Sequence, residues 1–262
     1  MKRFFFTISY PIFDSMDFKD HFSAQAVDYA RYRPDYPQEL YDFILLNVRS
    51  SDAAWDCGTG NGQVAVELAN YFEDVMATDP SASQIANAIS AENVTYSVAP
   101  AEASGLPSQY FDVITVGQAI HWFNFEAFYA EVHRVAKPGA LLMVWGYGLT
   151  TINPAVDEVV NDFYNNMVGA YWPPERKYLD EEYQEIPFPF RQIAVPPMHM
   201  QQQWDLNDLV GYLSTWSSVQ AYIKAHAVNP LQALYPKLAA AWGDKESIKT
   251  INWPLYVLAG VV

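Results

Sequence analysis

The feature that most constrains this chain is Ala53-Ala54-Trp55-Asp56-Cys57-Gly58-Thr59-Gly60-Asn61-Gly62, in which a short apolar run meets an acidic residue and three glycines at alternate positions. Glycine admits positive φ and lets a ligand lie against the main chain, where a Cβ would collide. Gln63-Val64-Ala65-Val66-Glu67-Leu68-Ala69 follows at once with helical character. The order strand, glycine turn, helix is the one that nucleotide-type sites in parallel α/β sheets require. Spacing then narrows the ligand. A dinucleotide fingerprint needs glycine at position 63, which is Gln63, and no G-x-x-x-x-G-K-[ST] occurs anywhere, so a phosphate ligand is disfavoured.

Asp56 at the loop entrance suits a ligand that carries positive charge on that side. Asp74-Val75-Met76-Ala77-Thr78-Asp79 reads as a second strand ending in a carboxylate. Asp79 stands at roughly the twenty-residue offset from which such a group accepts hydrogen bonds from ribose hydroxyls. A ribose without phosphates, together with a cation, points to S-adenosylmethionine.

At these residues the chain resembles the class I S-adenosylmethionine-dependent methyltransferases of the type 11 branch, and is similar to the trans-aconitate-type small-molecule methyltransferases. The resemblance is close to chain-long. Tyr29-Ala30-Arg31-Tyr32-Arg33-Pro34-Asp35-Tyr36-Pro37 looks like the branch's entry segment. Ala99-Pro100-Ala101-Glu102 through Leu106-Pro107 looks like the adenine loop. Phe111 to Phe123 looks like strand four and the loop beneath the methyl group, and Val135-Ala136-Lys137-Pro138-Gly139-Ala140 like the turn into strand five. Trp204-Asp205-Leu206, Gly211 to Ser217 and Asn252-Trp253-Pro254 continue it through a cap-like segment. Pro100 departs from the pattern, since relatives often carry Asp there, and residues 1–15 have no counterpart, which makes Met16 an alternative start.

The resemblance implies a Rossmann-like doubly wound α/β fold with a seven-stranded sheet and an inserted helical cap. The residues agree. Alternating helical and apolar segments suit a parallel sheet covered on both faces. Helices are expected over Pro37–Val48, from Ala82 to Ile89 behind a Ser81 cap, and over Phe125–Val135. Leu141-Leu142-Met143-Val144-Trp145 reads as a strand buried on both faces. Prolines at 173, 174, 187, 189, 196 and 197 break regular structure between Tyr171 and Gln203. Helices return from Asp205 to about Trp242, and Ser247–Leu258 reads as a last strand with Pro254 at a bulge or edge. The expected organisation is an extension over 1–15 and one methyltransferase domain over 16–262, with cap segments at about 168–242.

A net charge of −15 argues against nucleic acid as substrate. The single cysteine, Cys57, excludes an intrachain disulfide and fits a reducing, cytoplasmic setting. No run approaches the length of a membrane helix, so no membrane insertion is expected. His21, His133, His199 and His226 form no metal spacing, and no metal is expected. The oligomeric state has no signature in the sequence.

Methyl transfer from a sulfonium rests chiefly on alignment, which supplies on the order of 7–11 kcal/mol, more than a general base contributes. A small-molecule carboxylate, ionised at neutral pH with a reference pKa of about 4, is the leading acceptor; an amine, a hydroxyl or a quinone-like ring are the alternatives. A non-catalytic regulator that binds S-adenosylmethionine is the rival from another class. Open α/β sheets place reacting ligands beyond their strand ends, which singles out His121 and Trp122 as the residues that orient the acceptor. The cofactor residues that the resemblance implies are Tyr29, Arg33, Asp56, Gly58, Thr59, Gly60, Asp79, Ala101, Glu102 and Gln118, with Arg33 facing the methionine carboxylate and Glu102 the adenine.

Overall fold

The computed structural model describes residues 32–262; Tyr29, His21, the 1–15 extension and the alternative start at Met16 lie outside them. The apolar runs form the middle of one sheet. β1 (Ala53–Cys57) is buried along its whole length, and its side chains alternate between the two faces, Ala54 packing with one apolar cluster and Ala53, Trp55 and Cys57 with the other. β4 (Phe111–Gly117) pairs with it and β5 (Ala136–Tyr147) pairs with β4, both with two-sided burial. β2 (Asp74–Asp79) and β3 (Val94–Val98) complete the parallel half, and β3 is the partly exposed edge.

With β6 at Arg191–Gln192, β7 at Met198–Trp204 and β8 at Lys249–Val261, the strand order is β3-β2-β1-β4-β5-β8-β6, with β7 also paired to β8. β8 runs antiparallel to β5, from Leu255 opposite Tyr147 to Val261 opposite Leu141. Its outer edge pairs first with β6 and then with β7, in a register that runs from Arg191 opposite Val261 to Trp204 opposite Lys249. Eight strands therefore fill seven positions, and Pro196 and Pro197, which have no N–H to give to the ladder, sit at the break. The sequence reading left this region irregular. Met198 and Met200 are buried while His199 and Gln201 are exposed, a two-residue alternation that pairing with β8 completes. Pro254 is not at the expected bulge or edge: it pairs with His199 of β7 on one side and accepts the Gly148 N–H at 3.2 Å on the other, so it lies in an inner strand.

Helices cover both faces. α1 (Gln38–Asn47), α2 (Gln63–Leu68), α3 (Ala82–Ala86) and α4 (Phe125–Val135) alternate with the parallel strands. The Ser81 hydroxyl accepts the Gln84 N–H as the predicted cap of α3, though α3 ends at Ala86, short of Ile89. The cap comprises α5 (Pro154–Asp162), the short α6 (Lys177–Asp180), α7 (Leu206–Ser214), α8 (Ser217–His226) and α9 (Leu231–Trp242). Between α5 and α6, Phe163–Met167 forms a π-helical turn. No helix among the described residues is long and apolar enough to cross a membrane.

The sheet is pinned at the end away from the glycine loop by Asp112, which is 5% exposed. Its carboxylate accepts the Ala53 N–H at 3.0 Å, the Ser50 hydroxyl at 2.8 Å and the Lys137 ammonium at 2.9 Å, so it ties the start of β1 to the turn that begins β5. Asp112→Ala leaves the buried Ala53 N–H without this acceptor and Ser50 and Lys137 with Asp52 alone, and is expected to destabilise the fold by about 1–3 kcal/mol, read as a lowered midpoint in urea with unchanged slope.

Candidate active site

The three glycines of the loop do different things. Gly62 has φ +90°, and a Cβ there would lie 2.1 Å from the Tyr96 hydroxyl, which donates to the Ile89 carbonyl at 2.7 Å. Gly58 is packed against Ala119 in the same manner. Gly60 also has positive φ, +56°, yet nothing lies within 4 Å of its absent Cβ, so its open side is where a ligand meets main chain.

The loop is strapped to the tip of β2. The Gly58 and Thr59 N–H groups donate to the Thr78 carbonyl at 2.8 and 3.0 Å, and the Gly60 N–H donates to Asp79 Oδ2 at 2.9 Å. Asp79 Oδ1 accepts the Ser81 N–H at 2.8 Å, which holds the carboxylate at the strand end as the sequence spacing predicts. Beneath the loop, Asp56 is 1% exposed; its oxygens accept the Thr59 hydroxyl at 2.6 Å and the Thr115 hydroxyl at 2.8 Å. Burial pushes its pKa up to about 6 against the pull of those two hydroxyls. Sequence reasoning set Asp56 beside a cationic ligand, whereas the structure encloses it under the loop, where it and Thr59 brace the glycines. Glu102, assigned to adenine, accepts the Asn124 N–H at 2.8 Å at the start of α4, and Ala101 is buried beside Trp55.

Gln118 ends β4 in a left-handed conformation, φ +56°, unusual for a residue with a side chain and found where function imposes strain. Its Oε1 is buried and accepts no hydrogen bond among the described residues, which leaves it able to take a donor from a ligand. The open face of Gly60, the Asp79 carboxylate and this amide oxygen suit the uncharged ribose and the ammonium of S-adenosylmethionine. The residues present therefore fit that cofactor.

Gln118 also borders a cleft of about 80 Å³. His121 and Trp122, in the 3-10 turn after β4, line it together with Arg33 and with Tyr147 at the end of β5. Arg33 Nη1 donates to the Tyr147 hydroxyl at 2.6 Å, so the entry-segment arginine is clasped to the sheet. The far wall comes from the cap: Trp172, Arg176, Tyr212 and Trp216. A shallow groove of about 670 Å³ along Phe125, Tyr129 and Phe188 is larger, but it shares no residue with this cleft or with the glycine loop.

Arg176 escaped the sequence reading. Its Nε donates to the Tyr164 hydroxyl at 2.9 Å and lies 3.4 Å from Asp180, and its guanidinium sits 4.7 Å over the Trp172 ring. Neither terminal nitrogen has a hydrogen-bond or ion-pair partner among the described residues. Tyr164 belongs to the π-helical turn, a feature often found at functional sites. The signal in the sequence was the basic pair Arg176-Lys177 directly after the aromatic and proline-rich run Trp172-Pro173-Pro174-Glu175, in a chain with 15 Lys and Arg against 30 Asp and Glu.

His121 is 7% exposed, its Nδ1 3.1 Å from the Tyr183 hydroxyl. Burial, reinforced by Arg176 and Arg33, pushes its pKa down to about 3 from the ordinary 6.5, so the ring is neutral at pH 7. The unfolded chain takes up this proton below 6.5 and the folded one does not, so the contribution to stability is complete above pH 6.5 and is lost as pH falls toward 3. Wild type should accordingly lose about 2 kcal/mol more than His121→Gln between pH 6.5 and pH 5, measured by urea unfolding at both values.

Residues 55–144 match the methyltransferase domain family. A Dictyostelium discoideum protein described as a methyltransferase is 38% identical over 256 residues, covering 95% of this chain and 97% of that one. A Saccharomyces cerevisiae protein named as an S-adenosylmethionine-dependent methyltransferase is 28% identical over 176 residues, covering 62% of this chain and 58% of its own length. The solved structure of a type II methyltransferase from Anaeromyxobacter dehalogenans superposes with a TM-score of 0.81 at 41% identity, over 87% of this chain and 97% of that one. With the glycine loop, the carboxylate at the tip of β2 and the strand order all in place, the chain belongs to the class I S-adenosylmethionine-dependent methyltransferases.

Proposed function

We propose that this methyltransferase esterifies a small-molecule carboxylate. One observation carries the reading: the cleft beside Gln118 is bordered by two arginines, Arg33 and Arg176, and, among the described residues, by no aspartate or glutamate. In a chain with net charge −15, a cavity of that sign is a local inversion that selects an anion. A protonated amine would be repelled there, and a hydroxyl or a quinol would need a base that neutral, weakly basic His121 does not provide. The resemblance to trans-aconitate-type enzymes supports the same acceptor class.

S-adenosylmethionine, when bound, supplies an electrophilic methyl group on a sulfonium. Gly58, Gly60, Asp79 and Gln118 would hold it, with Arg33 toward its carboxylate and Ala101 and Glu102 toward the adenine side. Arg176 binds the acceptor anion through its terminal nitrogens, while Trp122, Trp172 and Trp216 wall the cleft and keep water from it. The carboxylate enters already ionised, so the protein's contribution is alignment and desolvation. In this reading the cap segments over about 168–242 form the acceptor-binding part of a single methyltransferase domain.

A panel of carboxylic acids, amines and phenols incubated with S-adenosylmethionine bearing a labelled methyl group should yield base-labile methyl esters; label found only on amines or phenols overturns the reading. Arg176→Met, checked for folding by circular dichroism, should lower kcat/KM for the acid about 100-fold and leave the calorimetric affinity for S-adenosylmethionine unchanged. Gly60→Val reverses that pattern, weakening cofactor binding at least tenfold because a β-branched side chain disfavours positive φ and fills the open side of the loop.

A further inference from the structure

Tyr183 lies outside the cleft, yet it is held with unusual care. It is 1% exposed and follows Glu182 in a left-handed turn, with φ +62° and +56° respectively, a strained arrangement for two residues with side chains. Its N–H donates to the Tyr178 carbonyl at 2.7 Å, which fixes the turn. β5 makes room for the ring with Gly146, where a Cβ would come within 2.6 Å of the Tyr183 hydroxyl. The product of this packing is one polar contact, Tyr183 Oη to His121 Nδ1 at 3.1 Å.

The protons decide what that contact means. His121 Nδ1 is the sole hydrogen-bond partner of the Tyr183 hydroxyl among the described residues, and the imidazole as a whole borders the cleft. His121 Nε2 has no partner within the described residues. Were Nδ1 to carry the imidazole proton, the phenol O–H would be buried with nothing to accept it, an arrangement proteins avoid. With the phenol donating to Nδ1, its buried proton is satisfied and the imidazole proton sits on Nε2, on a ring that borders the cleft.

We infer that Tyr183 is a positioning residue that fixes His121 as the Nε2–H tautomer, so that His121 offers the acceptor a hydrogen-bond donor and cannot serve as its base. The inference rests on the proposed carboxylate reading for the identity of the acceptor oxygen, and deepens it: the site turns over only acceptors that arrive as anions. The same hydrogen bond that holds the ring in plane removes the lone pair that a base would need, since Nδ1 is engaged and Nε2 is protonated.

The decisive measurement is a long-range ¹H–¹⁵N correlation spectrum of the ¹⁵N-histidine-labelled full chain at pH 7 without acceptor, with His121 assigned from the His121→Gln spectrum. The expected signature is a pyridine-like Nδ1 and a pyrrole-like Nε2, the latter tautomer in excess by about tenfold or more, the ratio that one unsatisfied buried donor imposes. Tyr183→Phe should shift this ratio toward that of solvated imidazole and lower kcat/KM for a carboxylate acceptor about tenfold while cofactor affinity holds. A pyrrole-like Nδ1 in the wild type overturns the inference, whether or not the variant folds, as does a folded Tyr183→Phe protein whose tautomer ratio is unchanged. Because the spectrum is taken without acceptor, an acceptor panel that yields only methylated amines would sink the carboxylate reading and leave the tautomer result standing.

Discussion

The hydrogen bonds around the buried Asp56 carboxylate set the geometry on which the site depends. Asp56 holds Thr59 in the loop and Thr115 on the neighbouring strand, and the loop amides are anchored on Thr78 and Asp79 of β2. Three parallel strands thus converge on one turn, and the positive-φ glycines settle into it without strain. Burial raises the carboxylate's pKa to about 6, a sign that it is kept in place at some cost in solvation. The two hydroxyls offset part of that cost, and the loop gains a fixed shape before any ligand arrives.

The second organising element is electrostatic. An acidic protein repels anions over most of its surface, and the cleft inverts that sign locally through Arg33 and Arg176. Each guanidinium is held by a tyrosine hydroxyl: Arg33 by Tyr147 at the end of β5, and Arg176 by Tyr164 in the π-helical turn. One cation therefore belongs to the sheet side and the other to the cap, and both border the cleft. Their field also adds to the burial that keeps His121 neutral, so the arginines and the histidine act as one electrostatic unit.

This division suits a reaction in which the protein's work is alignment. The sheet side offers a rigid loop and strand ends; the cap offers aromatic walls and a cation on a short irregular segment. Acceptor selection can then change through the cap without disturbing the loop.

What the sequence by itself determined was local and periodic. The two-sided apolar runs of β1, β4 and β5, the helix over Phe125–Val135, the Ser81 cap and the carboxylate at Asp79 were all legible, because each depends on neighbours within a few residues. Tertiary structure decided the rest. Nothing local showed that β6 and β7 extend the sheet, because their partners on β8, from Lys249 opposite Trp204 to Val261 opposite Arg191, are far along the chain and the double proline hides the register. Asp56 read as a ligand contact because its burial depends on Thr115, a residue on another strand. Arg176 and Tyr183 were invisible for the same reason: the Tyr164 and His121 side chains that give them meaning are 12 and 62 residues distant, and only the folded cap brings them together.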